Sequence, residues 1–133
     1  MLRITLKDGE KIIVNGAVLR SVGHTSLCVE NKVTLLRGRD VMSPDDANTP
    51  AKRLYFACMM AYIDEESRER HQDEIVERVR ELIGALAAPE AKAVCVQFAQ
   101  KVATGLFYRA LADCRWLINY EAEALNRAVP AEA

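Results

Sequence analysis

No phenylalanine, tyrosine or tryptophan occurs before Tyr55, so the first part of this 133-residue chain has no ring on which an unstacked base could lie. Any nucleic-acid contact made there must come from Arg, Lys and backbone groups. Histidine is nearly absent: the chain has two, His24 and His71, each far in sequence from any nucleophile. Acid–base chemistry would have to rest on carboxylates. Asp45 and Asp46 stand beside a helix start, where stabilising the N-terminus explains them. No Gly-x-x-x-x-Gly-Lys-Ser/Thr, Gly-x-Gly-x-x-Gly, His-Glu-x-x-His or Gly-x-Ser-x-Gly occurs. No catalytic residue and no cofactor are expected, and the protein does not read as an enzyme. Cys28, Cys58, Cys95 and Cys114 fall into no Cys-x-x-Cys or other zinc spacing, which predicts free thiols and no metal. No run of about eighteen apolar residues is present to cross a membrane. The opening Met-Leu-Arg-Ile-Thr-Leu-Lys lacks a signal-peptide core, so a cytoplasmic protein is expected.

What is there is enough for one folded domain. Half of the residues are apolar and 28% are charged, which excludes a disordered chain. The net charge of −1 is unevenly spread. Through Arg53 there are nine Lys and Arg against six Asp and Glu; from Leu54 onward there are nine against thirteen. A mildly basic first half is suited to phosphates and an acidic second half to other surroundings.

The hydrophobic period changes between Ser43 and Tyr62. Before it, Leu2, Ile4 and Leu6 alternate with Arg3, Thr5 and Lys7, a strand with one buried face. Asn15-Gly16 signals a tight hairpin between Lys11–Val14 and a strand from Ala17. Two more short runs, from Ser26 to Glu30 and from Val33 to Arg37, complete five strands, expected as an antiparallel meander or small barrel. His24 falls in a turn and is expected to be exposed. Ser43-Pro44-Asp-Asp46 and Thr49-Pro50 then read as two successive helix starts. The second places Lys52 and Arg53 in a first turn, where cations oppose the helix dipole and suggest an anionic partner. Arg37 and Arg39 form a second basic cluster at a strand end.

The helix from Pro50 carries more apolar surface than one flank can use. Leu54, Cys58 and Ala61 lie on one face, and Tyr55, Phe56, Met59, Met60 and Tyr62 widen it. That surface is either core or a face for a protein partner. Ile75, Val79, Leu82, Ile83 and Leu86 mark an amphipathic helix after a charged stretch that includes His71, expected to be exposed. A third helix follows from Ala91, ended by Gly105, and a fourth runs from Leu106 to Leu125 with Leu106 turned inward. Gly105-Leu-Phe-Tyr-Arg-Ala110 reads as the turn of a helical hairpin, placing Phe107 and Tyr108 among the partner candidates. The expected architecture is therefore α+β, with a β region over 1–48, about four helices over 49–127 and a frayed tail over 128–133.

Several blocks carry a family likeness. The opening Leu-x-x-x-Leu-Lys-x-Gly-Glu-Lys-Ile-Ile-Val-Asn-Gly-Ala-Val, the strand Val33-Thr-Leu-Leu-Arg37 with Asp40-Val-Met, and Pro44-Asp-Asp-Ala-Asn-Thr-Pro-Ala-Lys-Arg-Leu-Tyr-Phe56 followed by Met60-Ala-Tyr-Ile-Asp64 resemble the FlbT family of flagellin regulators. Gly105-x-Phe-Tyr-x-Ala-Leu and Asn119-Tyr-Glu-Ala-Glu fit it as well. The resemblance implies a cytoplasmic regulator that associates with the 5′ untranslated region of flagellin messenger RNA, represses translation, promotes decay, and works with the small flagellar protein FlaF. The first forty residues are similar, more faintly, to the carbon-storage regulator family (CsrA-like), in which five strands form an intertwined RNA-binding dimer. That likeness implies a homodimer through the β region. Ile4, Lys7 and Arg37 keep the residue type of that family, while Leu6 stands where it has an arginine.

Two functions follow as expectations. In the first, the β half contacts RNA through Arg3, Lys7, Arg37, Arg39, Lys52 and Arg53, and the helices hold a protein partner. In the second, the chain is an adaptor or export chaperone whose face at Tyr55, Phe56, Met59, Met60, Tyr62, Phe107 and Tyr108 binds FlaF or flagellin.

Overall fold

The structure is a computed structural model that describes residues 2–128. Five antiparallel strands, β1 (Leu2–Leu6), β2 (Lys11–Val14), β3 (Ala17–Arg20), β4 (Thr25–Val29) and β5 (Leu35–Arg37), precede four helices, so the α+β class holds. The strands divide between two sheets and do not close into a barrel: β1 pairs with β4, while β2 lies between β3 and β5. The reason is a bend. β1–β2 and β3–β4 are the two arms of one long hairpin, and both ladders keep one register, from Leu2↔Val29 to Val14↔Ala17. The arms turn together at Asp8-Gly9 and Ser21–Gly23. There Gly9 N–H reaches Ser21 O at 2.8 Å, and Asp8 Oδ1 accepts from Gly23 N–H at 2.8 Å. A meander would set β1 beside β2; here they are one bent strand.

The hairpin tip turns at Asn15 (φ 49°) and Gly16 (φ 85°), the pair of positive dihedrals that a type I′ turn needs. Asn15 also seats β5, since its N–H donates to Thr34 O at 2.8 Å and its Oδ1 accepts from Thr34 N–H at 3.0 Å. Strand alternation then sends neighbouring side chains to different cores. Ile4, Leu6 and Ile12 form a small β core, whereas Ile13 and Leu36 enter the helical one.

Helix α1 (Pro50–Ile63) begins as the Thr49-Pro50 signal predicts. Thr49 Oγ1 accepts from Lys52 N–H at 3.3 Å, and Glu121 Oε2, from the last helix, accepts from Ala51 N–H at 3.0 Å. The earlier signal makes only a single 3₁₀ turn, Pro44–Asp46, because Ser43 Oγ donates to Asp46 Oδ2 at 2.9 Å and caps no backbone group. Helix α2 (Arg68–Ala85) packs on one side of α1 and α4 (Phe107–Ala128) on the other, with α3 (Pro89–Ala103) against α4. Gly105 (φ 79°) ends α3: Leu106 N–H bonds Lys101 O at 2.8 Å and Gly105 N–H bonds Val102 O at 3.0 Å, the Schellman pattern.

Three local expectations change. Leu106 lies in that turn and is exposed. His71 is largely buried, its Nε2 2.9 Å from Asp64 Oδ2, whereas His24 is exposed as expected. Helix α4 continues through Ala128, and the remainder of the expected tail lies outside the described residues. The thiols are all free, with Cys58, Cys95 and Cys114 buried and Cys28 exposed. Among the described residues no helix is long and apolar enough to cross a membrane.

Candidate nucleic-acid interface

Three of the six cations singled out in the sequence share one open cleft. It has a volume of about 740 Å³ and lies at the bend of the hairpin, lined by Lys7, Asp8, Gly9, Glu10, Arg37, Gly38, Arg39, Asp40 and Tyr108. Lys7 follows the last residue of β1, and Arg37 ends β5, where a 3₁₀ turn over Gly38–Asp40 carries Arg39 outward. Arg37 is tied down. Its Nε and Nη2 donate to Glu10 Oε2 at 3.2 and 2.9 Å, and Nη2 also donates to Thr5 O at 2.7 Å. Glu10 is held below the usual carboxyl range by the Lys7 backbone N–H, against the opposing effect of burial, and then by Arg37. Lys7 and Arg39 are exposed.

The helical side of this cleft is fixed by Asp40. Its carboxylate pairs with Arg115 and accepts from Tyr108 Oη at 3.3 Å, while its carbonyl accepts from Tyr55 Oη at 2.7 Å. The Arg115 guanidinium also lies 5.6 Å from the centre of the Tyr55 ring. Burial raises the pKa of the Tyr55 hydroxyl; burial and then the Asp40 carboxylate raise that of Tyr108. Tyr108 is 47% exposed, and its ring centre lies 5.5 Å from that of Tyr62. The aromatic group missing from the β half is thus supplied to the basic turn by α4. Sequence reasoning placed Tyr108 with the protein-binding residues, because no local signal reveals a contact between positions 40 and 108.

The cleft is not strongly basic. Lys7, Arg37 and Arg39 face Asp8, Glu10 and Asp40, so the formal charges of its lining cancel. With Glu10 and Asp40 already paired to Arg37 and Arg115, the charge offered outward is mainly that of Lys7 and Arg39.

The other cations lie elsewhere. Arg3 is on the exposed face of β1, opposite Cys28 in register. Lys52 is half-buried in the first turn of α1. Arg53 pairs with Glu81 at 3.1 Å and lines a second cleft of about 350 Å³ between α1 and α2, with Phe56, Met60, Arg70, His71 and Arg78. The aromatic and methionine residues of α1 do not form one outward face. Tyr55, Met59 and Phe107 are buried in the core, and Phe56, Met60 and Tyr62 are half-buried against it. Helix α1 is apolar nearly all round because it is the central helix, covered by α2, α4 and the three-stranded sheet. Among the described residues no group of three His, Cys, Asp or Glu could hold a metal ion.

The sequence has clear relatives. No solved structure shows a significant match to the chain. It is 38% identical over 126 residues to a probable flagellum biosynthesis repressor protein FlbT of Caulobacter sp. strain K31, covering 94% of this chain and 96% of that one. It is likewise 38% identical over 126 residues to the flagellum biosynthesis repressor protein FlbT of Caulobacter vibrioides, with 94% and 89% covered. A probable flagellum biosynthesis repressor protein FlbT of Agrobacterium fabrum is 38% identical over 125 residues, with 94% and 84% covered. The family model described as flagellar protein FlbT matches residues 2–125, and the chain therefore belongs to the FlbT family.

Proposed function

We propose that this chain regulates flagellum biosynthesis after transcription, associating in the cytoplasm with the 5′ untranslated region of flagellin messenger RNA to repress translation and promote decay. It acts by binding and not by catalysis. Membership of a family whose relatives are named flagellum biosynthesis repressors supports the regulatory part. The observation that carries the RNA part is the placement of exposed Lys7 and Arg39 beside the half-exposed Tyr108: cations for phosphates next to a ring for a base. A homodimer through the β region belongs to the same proposal. The exposed Leu2, Val18, Leu19 and Leu27, on sheets with unpaired edges, and Val22 in the bend between them support it.

A second reading is favoured by the cancelling charges of the cleft. Here the chain is an adaptor that reaches RNA only together with FlaF or flagellin. The experiment that separates the two is binding of the purified protein to the flagellin 5′ untranslated RNA across a salt series, alone and then with each protein added. Binding alone that weakens steeply with salt supports the direct reading. Binding only after FlaF or flagellin is added supports the adaptor. Absence of binding under every condition overturns both.

A further inference from the structure

We propose that the groove between α2 and α3 is a docking site for an amphipathic helix of a partner protein, one with aliphatic residues along its seam and Lys or Arg on the flank that meets α2. This inference stands on the helical half alone and does not rest on the RNA reading. In the helical layer α2 packs on α1 and α3 on α4, while α2 and α3 touch each other only sparsely. The gap is a groove of about 410 Å³ lined mainly by aliphatic side chains, among them Ile75, Val76, Val79, Ala99 and Val102, with Gln72 and Arg80 also in its lining. Ile75 is buried, and Val79 and Val102 are half-buried as its floor; Val76 is 47% exposed on its wall. Helical spacing extends the stripe to Ile83 on α2 and Val96 on α3, 38% and 54% exposed. From Gln72 to Ile83 the stripe runs about three turns, roughly 16 Å, a length that suits a helix laid in a groove.

The rim identifies the occupant. On the solvent side of the stripe, Glu69, Asp73 and Glu77 follow one another at helical spacing, and the cation that lines the groove beside them, Arg80, is paired with Glu77 at 3.3 Å, which leaves Glu69 and Asp73 as the rim's outward charge. The corresponding rim of α3 is neutral over Val96, Ala99, Gln100 and Ala103, with one lysine, Lys92, near the α2–α3 loop. An acidic rim beside an aliphatic floor selects a helix with a basic flank. Nucleic acid has no use for an aliphatic floor with acidic edges.

The test uses a fluorescein-labelled model helix of about five turns, with Leu and Ala along one face and Lys on the flanks, titrated with the full chain and read by anisotropy. A matched peptide carries Glu in place of Lys. The basic peptide is expected to bind at least about tenfold more tightly than the acidic one. Val76→Gln with Val96→Gln, both exposed enough to leave the fold intact, is expected to weaken it by about tenfold or more. Asp73→Lys with Glu77→Lys is expected to reverse the preference between the peptides, a result that general stickiness would not give. Equal binding by wild type and the Val76/Val96 variant overturns the proposal, as does tighter binding of the acidic peptide. Self-association of the wild type in sedimentation that the Val76/Val96 variant abolishes overturns it in favour of a second copy.

Discussion

Arg37 and Thr5 stand 32 positions apart and are joined by a 2.7 Å hydrogen bond from Arg37 Nη2 to the Thr5 carbonyl, across the bend between the two sheets. The same guanidinium is paired with Glu10, so Arg37 fastens β5 to the β1–β2 arm of the hairpin at its bend. Arg37→Ala is expected to lower the melting temperature by a few degrees, with the bond to Thr5 alone worth about 1 kcal/mol. Thermal unfolding followed by circular dichroism checks it; an unchanged midpoint would show that the clasp contributes nothing.

For that reason the proposed RNA contact is better probed at Lys7 and Arg39, for which the structure shows no hydrogen bond or ion pair of the side chain among the described residues. Lys7→Ala with Arg39→Ala is expected to leave the melting temperature unchanged. It should reduce the slope of log affinity against log salt by about one to two units. An unaltered slope would remove the cleft from the RNA-binding surface.

The carboxylate of Glu121 caps a helix 70 positions away, at Ala51 N–H. Glu121→Ala leaves that first-turn donor without its partner and is expected to cost about 1 kcal/mol, with Glu121→Gln milder because an acceptor oxygen remains. Chemical denaturation of both variants checks the order. Equal loss in the two would mean that charge, and not the hydrogen bond, carries the effect.

Gly16 has φ 85°, and a Cβ placed there would stand 3.2 Å from the Ile63 carbonyl oxygen at the end of α1. Gly16→Ala is expected to destabilise the protein by about 1–2 kcal/mol through the left-handed backbone alone. The close approach adds to this. Denaturant midpoints would test it, and a neutral substitution would mean that the hairpin tip does not sit against α1.

Acid should weaken the fold through Glu10 and Asp64. Asp64 is held below its ordinary 3.8 first by the hydrogen bond with His71, and Glu10 below its ordinary 4.5 first by the Lys7 N–H. A carboxyl with a lowered folded pKa is protonated more readily when unfolded, so stability rises with pH through this range. The contribution is complete above those ordinary values and is lost as pH falls through the lower folded ones. Denaturation midpoints should hold steady from neutrality to near pH 5 and then drop, and Glu10→Gln with Asp64→Asn should make that drop shallower. The same drop in both proteins would assign acid sensitivity to other groups.

The strands and helices were readable because their signals are local: alternation in Leu2–Leu6, Asn15-Gly16 at the hairpin tip, Thr49-Pro50 at the start of α1, Gly105 at the end of α3. Pairing was less so. Nothing in the order of the strands says that Asp8-Gly9 bends one arm instead of reversing it; that depends on the bonds from Gly9 to Ser21 and from Gly23 to Asp8. The fate of Tyr55 and Met59 could not be settled either, because a helix apolar all round reads alike whether its second face meets a partner or its own chain. The basic turn was legible as Arg37 and Arg39. Its aromatic neighbour was not, since Tyr108 is brought there by the Asp40–Arg115 pair, 75 positions apart.

The division of the β side chains between two cores sets how long each strand stays closed. Ile13 and Leu36 are embedded among the helices, so the amides of β2 and β5 should exchange with deuterium only when the helical layer itself opens. The β1–β4 ribbon has just Ile4 and Leu6 among its fully buried side chains and hangs from the bend. Its amides should exchange orders of magnitude sooner. This one chain would then carry a slow clock in its helices and a fast one in the strands that lead to Lys7.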